Sequence, residues 1–318
     1  MSVVIPTHRR PGLLRRCLAA LARQEYPPDR LEIVVVEDGE PAGAEEVVAE
    51  FRASGVGVDV LFTRIARSGP AAARNAGWQL ARGEIIAFTD DDTLADPHWI
   101  AASVRSFARG ADAVSGRTVV PLPARPTDAQ RNAKRLETAP FATCNAFCRR
   151  DLLQAVRGFD PRFTSAYRED SDLQFTLLDA GARLVRNADA VVVHPPRPEQ
   201  PLVSLRQQRN QYFDALLYRK HPASFRQYIR SRPPWRYYAI TVGQLVSLLA
   251  GLLGQRWVAA AATGSWAVLV TIFCAERLRG SRLRPADVAE MAITSLVIPP
   301  VAVYWRLRGA WAFRVRFL

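Results

Sequence analysis

The chain has 318 residues, 49% of them hydrophobic, which leaves room for one large domain with an appendage or for two ordinary domains. Its net charge of +13 is unevenly placed: residues 1–196 carry 25 basic and 25 acidic residues, so the whole excess lies behind them. The arginines there flank long apolar runs instead of forming a polar basic stripe, which excludes a nucleic-acid binder and points to an anionic membrane surface.

The four cysteines, Cys17, Cys144, Cys148 and Cys274, form no CxxC pair and no His/Cys cluster with zinc spacing. That excludes a disulfide framework and a structural zinc, and it fits reduced cytosol. Cys144 and Cys148 read as small packing residues. Ser2-Val3-Val4-Ile5 opens the chain as a strand, with no sign of a signal peptide.

Apolar β-like runs follow at 3–5, 31–36, 58–62, 84–88 and 113–114 with 119–120. Their starts lie roughly 26–30 residues apart, the length of a βα unit. Between them Leu13, Leu14, Cys17, Leu18 and Leu21 recur at helical spacing after Pro11, Val47, Val48 and Phe51 follow Gly43, and an alanine-rich helix covers 71–80. The alternation predicts an α/β domain, a mostly parallel sheet with helices on both faces. In such sheets ligands bind beyond the carboxyl ends of the strands. Three polar clusters stand there: Pro6-Thr7-His8-Arg9-Arg10, Glu37-Asp38-Gly39 and Asp90-Asp91-Asp92. Three adjacent carboxylates are costly unless a cation sits among them, and hard oxygen ligands suit Mg²⁺ or Mn²⁺ carrying phosphates. A GxxxxGK[ST] loop and a GxGxxG turn are both absent, which excludes phosphate binding by a P-loop and weighs against a dinucleotide enzyme.

Val3-Val4-Ile5-Pro6-Thr7, Val34-Val35-Val36-Glu37-Asp38-Gly39, Ala73-Arg74-Asn75-Ala76-Gly77 and the Asp-rich strand end resemble, in order and spacing, the signature series of family-2 glycosyltransferases. The likeness covers about residues 1–195. It implies a GT-A fold, a nucleotide-diphospho-sugar donor, a divalent cation and cell-envelope polysaccharide or glycolipid synthesis. Pro6, Thr7, Arg9, Glu37, Asp38, Arg74 and Asn75 would then surround the donor, with Asp38 accepting a hydrogen bond from the base. Glu37 stands where the family usually has Asp. Asp90 and Asp92 match the DxD motif, Asp90 near the ribose and Asp92 on the metal; Asp91 could share either role.

Further along, Asp96 reads as an N-cap with Pro97 at N1, and residues 121–140, with four prolines, read as an excursion that shapes an acceptor pocket. The segment FATCNAFCRR at 141–150 resembles the family's strand-to-helix segment, with Asn145 as a sugar or acceptor contact. In Tyr167-Arg168-Glu169-Asp170-Ser171-Asp172-Leu173 the resemblance makes Asp170 the general base and Glu169 its neighbour. A helix N-terminus lowers a carboxyl pKa, so Asp170 is expected ionised and Asp172 solvated. His194, ending the run 191–193, is either a late metal or phosphate ligand or a strand-end hydrogen-bonder. Gln208 and Arg209, on an amphipathic helix, would touch the diphosphate or lipid headgroups. The QxxRW motif of processive members is missing there, which puts a polymerising synthase in doubt.

Runs 237–253 and 257–275 carry no charge, span 17 and 19 residues, and flank Gly254-Gln255-Arg256. Both approach the ~20 residues of a bilayer span, and aromatic residues sit at their ends. Arginines before 237 and after 275 place both ends of this hairpin in the cytoplasm. A third run, split by Pro299-Pro300, reads as an interfacial or re-entrant segment at about 288–305. The expected organisation is a catalytic domain at 1–200, interfacial linker helices at 201–234 and a membrane region at 235–318. The expected activity is inverting sugar transfer to a lipid-linked or membrane-proximal acceptor. The alternatives are a processive polysaccharide synthase or a non-catalytic nucleotide-sugar binder at the membrane.

Overall fold

The computed structural model describes residues 1–197 and 200–317. In order, the chain runs β1 (Ser2–Thr7), α1 (Pro11–Leu21), β2 (Glu32–Asp38), α2 (Ala44–Ala53), β3 (Asp59–Ile65), α3 (Pro70–Leu80), β4 (Ile85–Thr89), β5 (Leu94–Ala95), α4 (Trp99–Ala108) and β6 (Ala113–Val119). It continues through α5 (Asp128–Ala133), β7 (Asn145–Arg149), α6 (Arg150–Val156), α7 (Glu169–Asp179) and β8 (Leu184–Val193). Helices follow: α8 (Val203–Arg206), α9 (Gln211–Lys220), α10 (Pro222–Ser224), α11 (Trp235–Leu252), α12 (Arg256–Leu278) and α13 (Pro285–Ala312). These form two compact units, Met1–Pro121 with Lys134–Pro196, and Leu122–Ala133 with Arg197–Leu318. The excursion expected at 121–140 is therefore divided, and α5 packs with the C-terminal helices.

In the first unit an eight-stranded sheet has the order β3-β2-β1-β4-β7-β6-β8-β5. Most of it is parallel, as the alternation predicts, while β7 runs against both its neighbours and β5 against β8. Val3, Val4 and Ile5 on β1 and Ile33, Val34, Val35 and Val36 on β2 are all fully buried, which is why these strands read as unbroken apolar runs. The runs at 113–114 and 119–120 are one strand, β6, whose pairing with β8 shifts register between Gly116 and Arg117. Because β7 is reversed, Asn145 at its start pairs with Thr89 at the end of β4. Residues 142–144 thereby reach the edge where β4 delivers its aspartates.

Two local expectations are corrected. α4 begins at Trp99, two residues after the expected N1, because Asp96 closes a tight turn, its Oδ1 accepting the His98 N–H at 3.0 Å and its carbonyl the Trp99 N–H. Asp172 is buried, not solvated, on the inward face of α7.

In the second unit α11 and α12 form an antiparallel pair closed at its open end by Arg236–Glu276, 2.5 Å apart, and by the Tyr237 and Phe273 rings. Leu252, Leu253 and Trp257 at the opposite tip are among the most exposed side chains. Among the described residues α12 and α13 are long and apolar enough to cross a membrane, and α12 is the more exposed of the two. α13 runs unbroken through Pro299 and Pro300.

Candidate active site

Three consecutive carboxylates leave β4 and turn in three directions, with Arg10 Nη1 reaching both Asp91 and, at 3.9 Å, Asp92. Asp90, with its side chain 23% exposed, accepts from Arg74 Nη2 at 2.8 Å. Asp91 turns inward under β1, where Thr7 Oγ1 donates to it at 2.8 Å and Arg10 Nη1 at 3.2 Å. Asp92 faces His194, whose Nε2 lies 3.4 Å from its Oδ1. The turn that fans them out is held by Thr93, whose N–H and hydroxyl both donate to the Asp90 carbonyl, and by the Thr89–Thr93 hydroxyl pair at 2.6 Å. Asp91 thus stands apart from Asp90 and Asp92. Burial, which outweighs Arg10, pushes its carboxyl up to about 6.

From α3 the buried Arg74 bridges two elements far apart in sequence, donating to Asp90 and, at 3.1 Å, to Glu169 Oε1 at the start of α7. Burial alone would pull its pKa down; Asp90, Asp170 and Glu169 together hold it above the ordinary arginine value. Asp170 is gripped by Thr143, whose hydroxyl donates to Oδ1 at 2.6 Å and whose backbone N–H donates to Oδ2 at 3.1 Å. The expected lowering of the Asp170 pKa by the helix N-terminus is reversed. Burial is the largest influence and raises it, against Arg74 and Thr143, which favour the charged form. Glu169 is raised too, by burial and by Asp170 beside it.

Asp38 accepts the Ser68 and Gly69 N–H groups, at 2.7 and 3.0 Å, on its two oxygens, fixing the loop that leads into α3. His8 sits on the Asp38 carbonyl through Nδ1, and its Nε2 meets Arg67 at 2.8 Å. Glu37 is buried between the Ala42 N–H and Arg64 Nε. Pro6 is half-buried on β1, and Arg9 is exposed with a left-handed backbone (φ 55°). Asn75 uses its amide on the Phe159 backbone and on Trp78 Nε1. Asn145 is buried, accepting from Trp99 Nε1 and donating to the Ala190 carbonyl. Gln208 and Arg209 lie in the second unit, where Gln208 Nε2 donates to the Ser204 carbonyl. The first unit therefore brings together Thr7, Arg74, Asp90, Asp91, Asp92, Glu169, Asp170 and His194. Sequence reasoning missed Thr143, which has no motif of its own and is marked only by lying two residues before β7. It also left Arg10 as one cation in a basic loop.

Five carboxylates face two arginines and one histidine here, and the pKa values of Asp91, Glu169 and Asp170 are raised first by burial and then by the neighbouring carboxylates. Asp90, Asp92 and His194 each offer one ligand atom, all within 4.8 Å of one another. Opposite ligands of a six-coordinate ion with ~2.1 Å bonds lie about 4.2 Å apart, so this group is close to the span a divalent cation requires. His194 Nδ1 is buried and has no hydrogen-bond partner among the described residues. Two carboxylates and an imidazole fit such an ion, and they would hold it at the mouth of β4.

Residues 2–172 match the family described as Glycosyl transferase family 2. Glycosyltransferase AglE of Haloferax volcanii is 29% identical over 210 residues, 62% of this chain and 67% of its own length. The pre-mycofactocin glycosyltransferase of Mycobacterium tuberculosis is also 29% identical, over 63% of this chain and 43% of its own length. A glucosyl-dolichyl phosphate glucuronosyltransferase of H. volcanii is 32% identical over 38% of each. Most of these relatives are thus spanned only in part. Among solved structures, the mannosyltransferase PcManGT of Pyrobaculum calidifontis, in complex with GDP-Man and Mn²⁺, superposes with a TM-score of 0.59 at 20% identity, over 98% of this chain and 87% of that one. S. aureus TarS 1-349 with UDP-GlcNAc gives 0.52 at 14% identity, over 100% and 93%. The fold is that of the GT-A enzymes, and the chain belongs to glycosyl transferase family 2.

Proposed function

We propose that the protein moves a sugar, with inversion, from a nucleotide-diphospho-sugar to a hydroxyl of a lipid-linked or membrane-proximal acceptor, and that it depends on a divalent cation. The observation that carries this reading is the pair of groups on one sheet edge, Asp90-Asp92-His194 and Asp170-Thr143. When bound, a Mg²⁺ or Mn²⁺ ion neutralises the charge that gathers on the leaving diphosphate. Asp90, Asp92 and His194 would hold it, and Arg74 keeps Asp90 oriented. Asp38, fixed by two backbone N–H groups, and Thr7 would line the nucleoside end. Asp170, oriented by Thr143, takes the acceptor's hydroxyl proton. The new bond forms between the acceptor oxygen and the anomeric carbon as the bond to the phosphate oxygen breaks. Burial makes Asp170 a stronger base than a solvated aspartate, which suits the role better than the lowered pKa expected from its helix position.

The membrane side of the proposal rests on the apolar α11–α12 hairpin and the basic flanks, with both ends cytoplasmic. The one relative named as a glucosyl-dolichyl phosphate glucuronosyltransferase and the neighbours solved with GDP-Man or UDP-GlcNAc support the donor and acceptor classes. A paired measurement tests the site. Asp92→Asn should weaken Mn²⁺-dependent binding of a nucleoside diphosphate by tenfold or more. Asp170→Asn should leave that binding within about twofold and reduce transfer by ~10²–10⁴. Equal loss of binding in both variants would remove Asp170 from the role of base.

A further inference from the structure

Helix α13 makes polar contacts with the α11–α12 hairpin at two places, and both lie at the hairpin's open end. That end is marked by Arg236 beside Glu276 and Tyr237 beside Phe273. At one place Arg277 of α12 donates through Nη1 to Thr294 Oγ1 at 2.8 Å and Ser295 Oγ at 2.9 Å. At the other the Tyr238 hydroxyl of α11 accepts from Arg306 Nε at 3.1 Å. Thr294 and Arg306 are about 18 Å apart along a helix rising 1.5 Å per residue. Between them Ile298 joins Ile240, Val270 and Phe273 in one apolar cluster. A helix running alongside the hairpin would, 18 Å from its first contact, be level with the hairpin's middle or clear of it altogether. α13 instead reaches from the last turn of α12 to the first turn of α11, across the open end.

The helix also has two unlike faces. Met291, Thr294, Ser295, Ile298, Ala302 and Arg306 are buried in protein. Ile293, Leu296, Val297, Tyr304, Leu307 and Trp311 are exposed and fall on one stripe of the helix at about 100° per residue. Arg308 is the one charged residue at the exposed positions of 292–312. A helix facing water would be polar along that stripe.

We propose that α13 is not a third span but an interfacial helix, its exposed apolar stripe lying in the plane of an anionic membrane at the boundary of headgroups and acyl chains. The inference rests on the proposed insertion of the hairpin. The partner is fixed by two features: the stripe continues from the open end of an apolar hairpin, and the exposed Arg308, Arg314 and Arg316 beside it complement anionic headgroups. It follows that the C-terminus stays on the side from which α11 enters.

Spin labels at Ile293→Cys, Tyr304→Cys and Trp311→Cys test this in the full chain carrying Cys274→Ser, reconstituted into phosphatidylcholine–phosphatidylglycerol vesicles. A label at Leu245→Cys on α11 reports the hairpin. The three α13 labels should sit at one shallow depth, within about 5–10 Å of the headgroups. A graded depth, with the outer two labels separated by up to ~27 Å, would mean that α13 spans and would overturn the inference. Three water-exposed labels beside a lipid-buried Leu245→Cys would also overturn it, since the stripe would then face something other than lipid. A water-exposed Leu245→Cys would defeat the hairpin reading itself, and the inference with it.

Discussion

Arg74 donates to Glu169 and Asp90 from inside a helix of small residues, and its removal would leave the buried Glu169 and the half-buried Asp170 beside it without their nearest cation. Breaking a buried pair from one side costs about 3–5 kcal/mol. We expect Arg74→Met to lower stability to urea by that amount, and more at pH 8 than at pH 5, because a proton can neutralise the stranded carboxyl at the lower pH. A second carboxylate carries a pH dependence of its own, in the acid range. Glu32 on β2 accepts from the Ser2 hydroxyl, from Arg82 Nε at 2.9 Å and from the Arg82 and Gly83 N–H groups. Burial alone would raise its pKa, but these donors together hold it below the ordinary value of 4.5. The charged form is thus favoured by folding, so its contribution is complete above pH 4.5 and disappears as pH falls through the lowered folded value. Urea midpoints of wild type and Glu32→Gln should therefore differ at pH 7 and converge as the solution is acidified below 4.5. A gap that stays constant with pH would assign the effect to packing.

Helix α3 lies so close to β1 that a Cβ on Gly77 would overlap the Val4 side chain. Alanine at that position gains about 1 kcal/mol in helix propensity but must displace a core strand, at a typical cost of 1–3 kcal/mol. We expect Gly77→Ala to lower the thermal midpoint; a rise would show that the close approach is dispensable. The elements that carry the site were unevenly legible in the sequence. The carboxyl ends of β1, β2 and β4 could be read because apolar runs at βα spacing dictate a parallel sheet, and a parallel sheet gathers those ends on one edge. Strand direction has no such local signature. Nothing in 145–149 says that β7 runs backward, so the arrival of Thr143 beside Asp170 could not be foreseen. The division of labour within Asp90-Asp91-Asp92 was equally hidden, since it depends on which residue Thr7 and Arg10 can reach. α13 shows the same limit. Its apolar stripe is visible in one dimension, but only its contacts with Arg277 and Tyr238 show which way it runs.

At the scale of the whole molecule, residues 197–318 hold 18 basic and 5 acidic residues beside two uncharged runs long enough for a bilayer. A protein held only by its arginines would leave a membrane in molar salt, where screening reaches ~3 Å. We expect this chain to stay in the membrane pellet through salt and alkaline washes and to be released by detergent; release by salt alone would remove the hairpin from the bilayer. The division into units carries a further consequence. Residues 122–133 sit in sequence between β6 and β7 yet fold with the C-terminal helices, where Asp128 pairs with Arg277 at 2.7 Å and the Pro126 carbonyl accepts the Arg282 N–H. The backbone therefore passes between the units three times, at 121/122, 133/134 and 196/197. A stop codon after residue 196 would not yield a self-sufficient soluble enzyme. It would strand a twelve-residue loop bereft of its docking helices, and a clean excision has to replace 122–133 with a short linker as well as removing the tail.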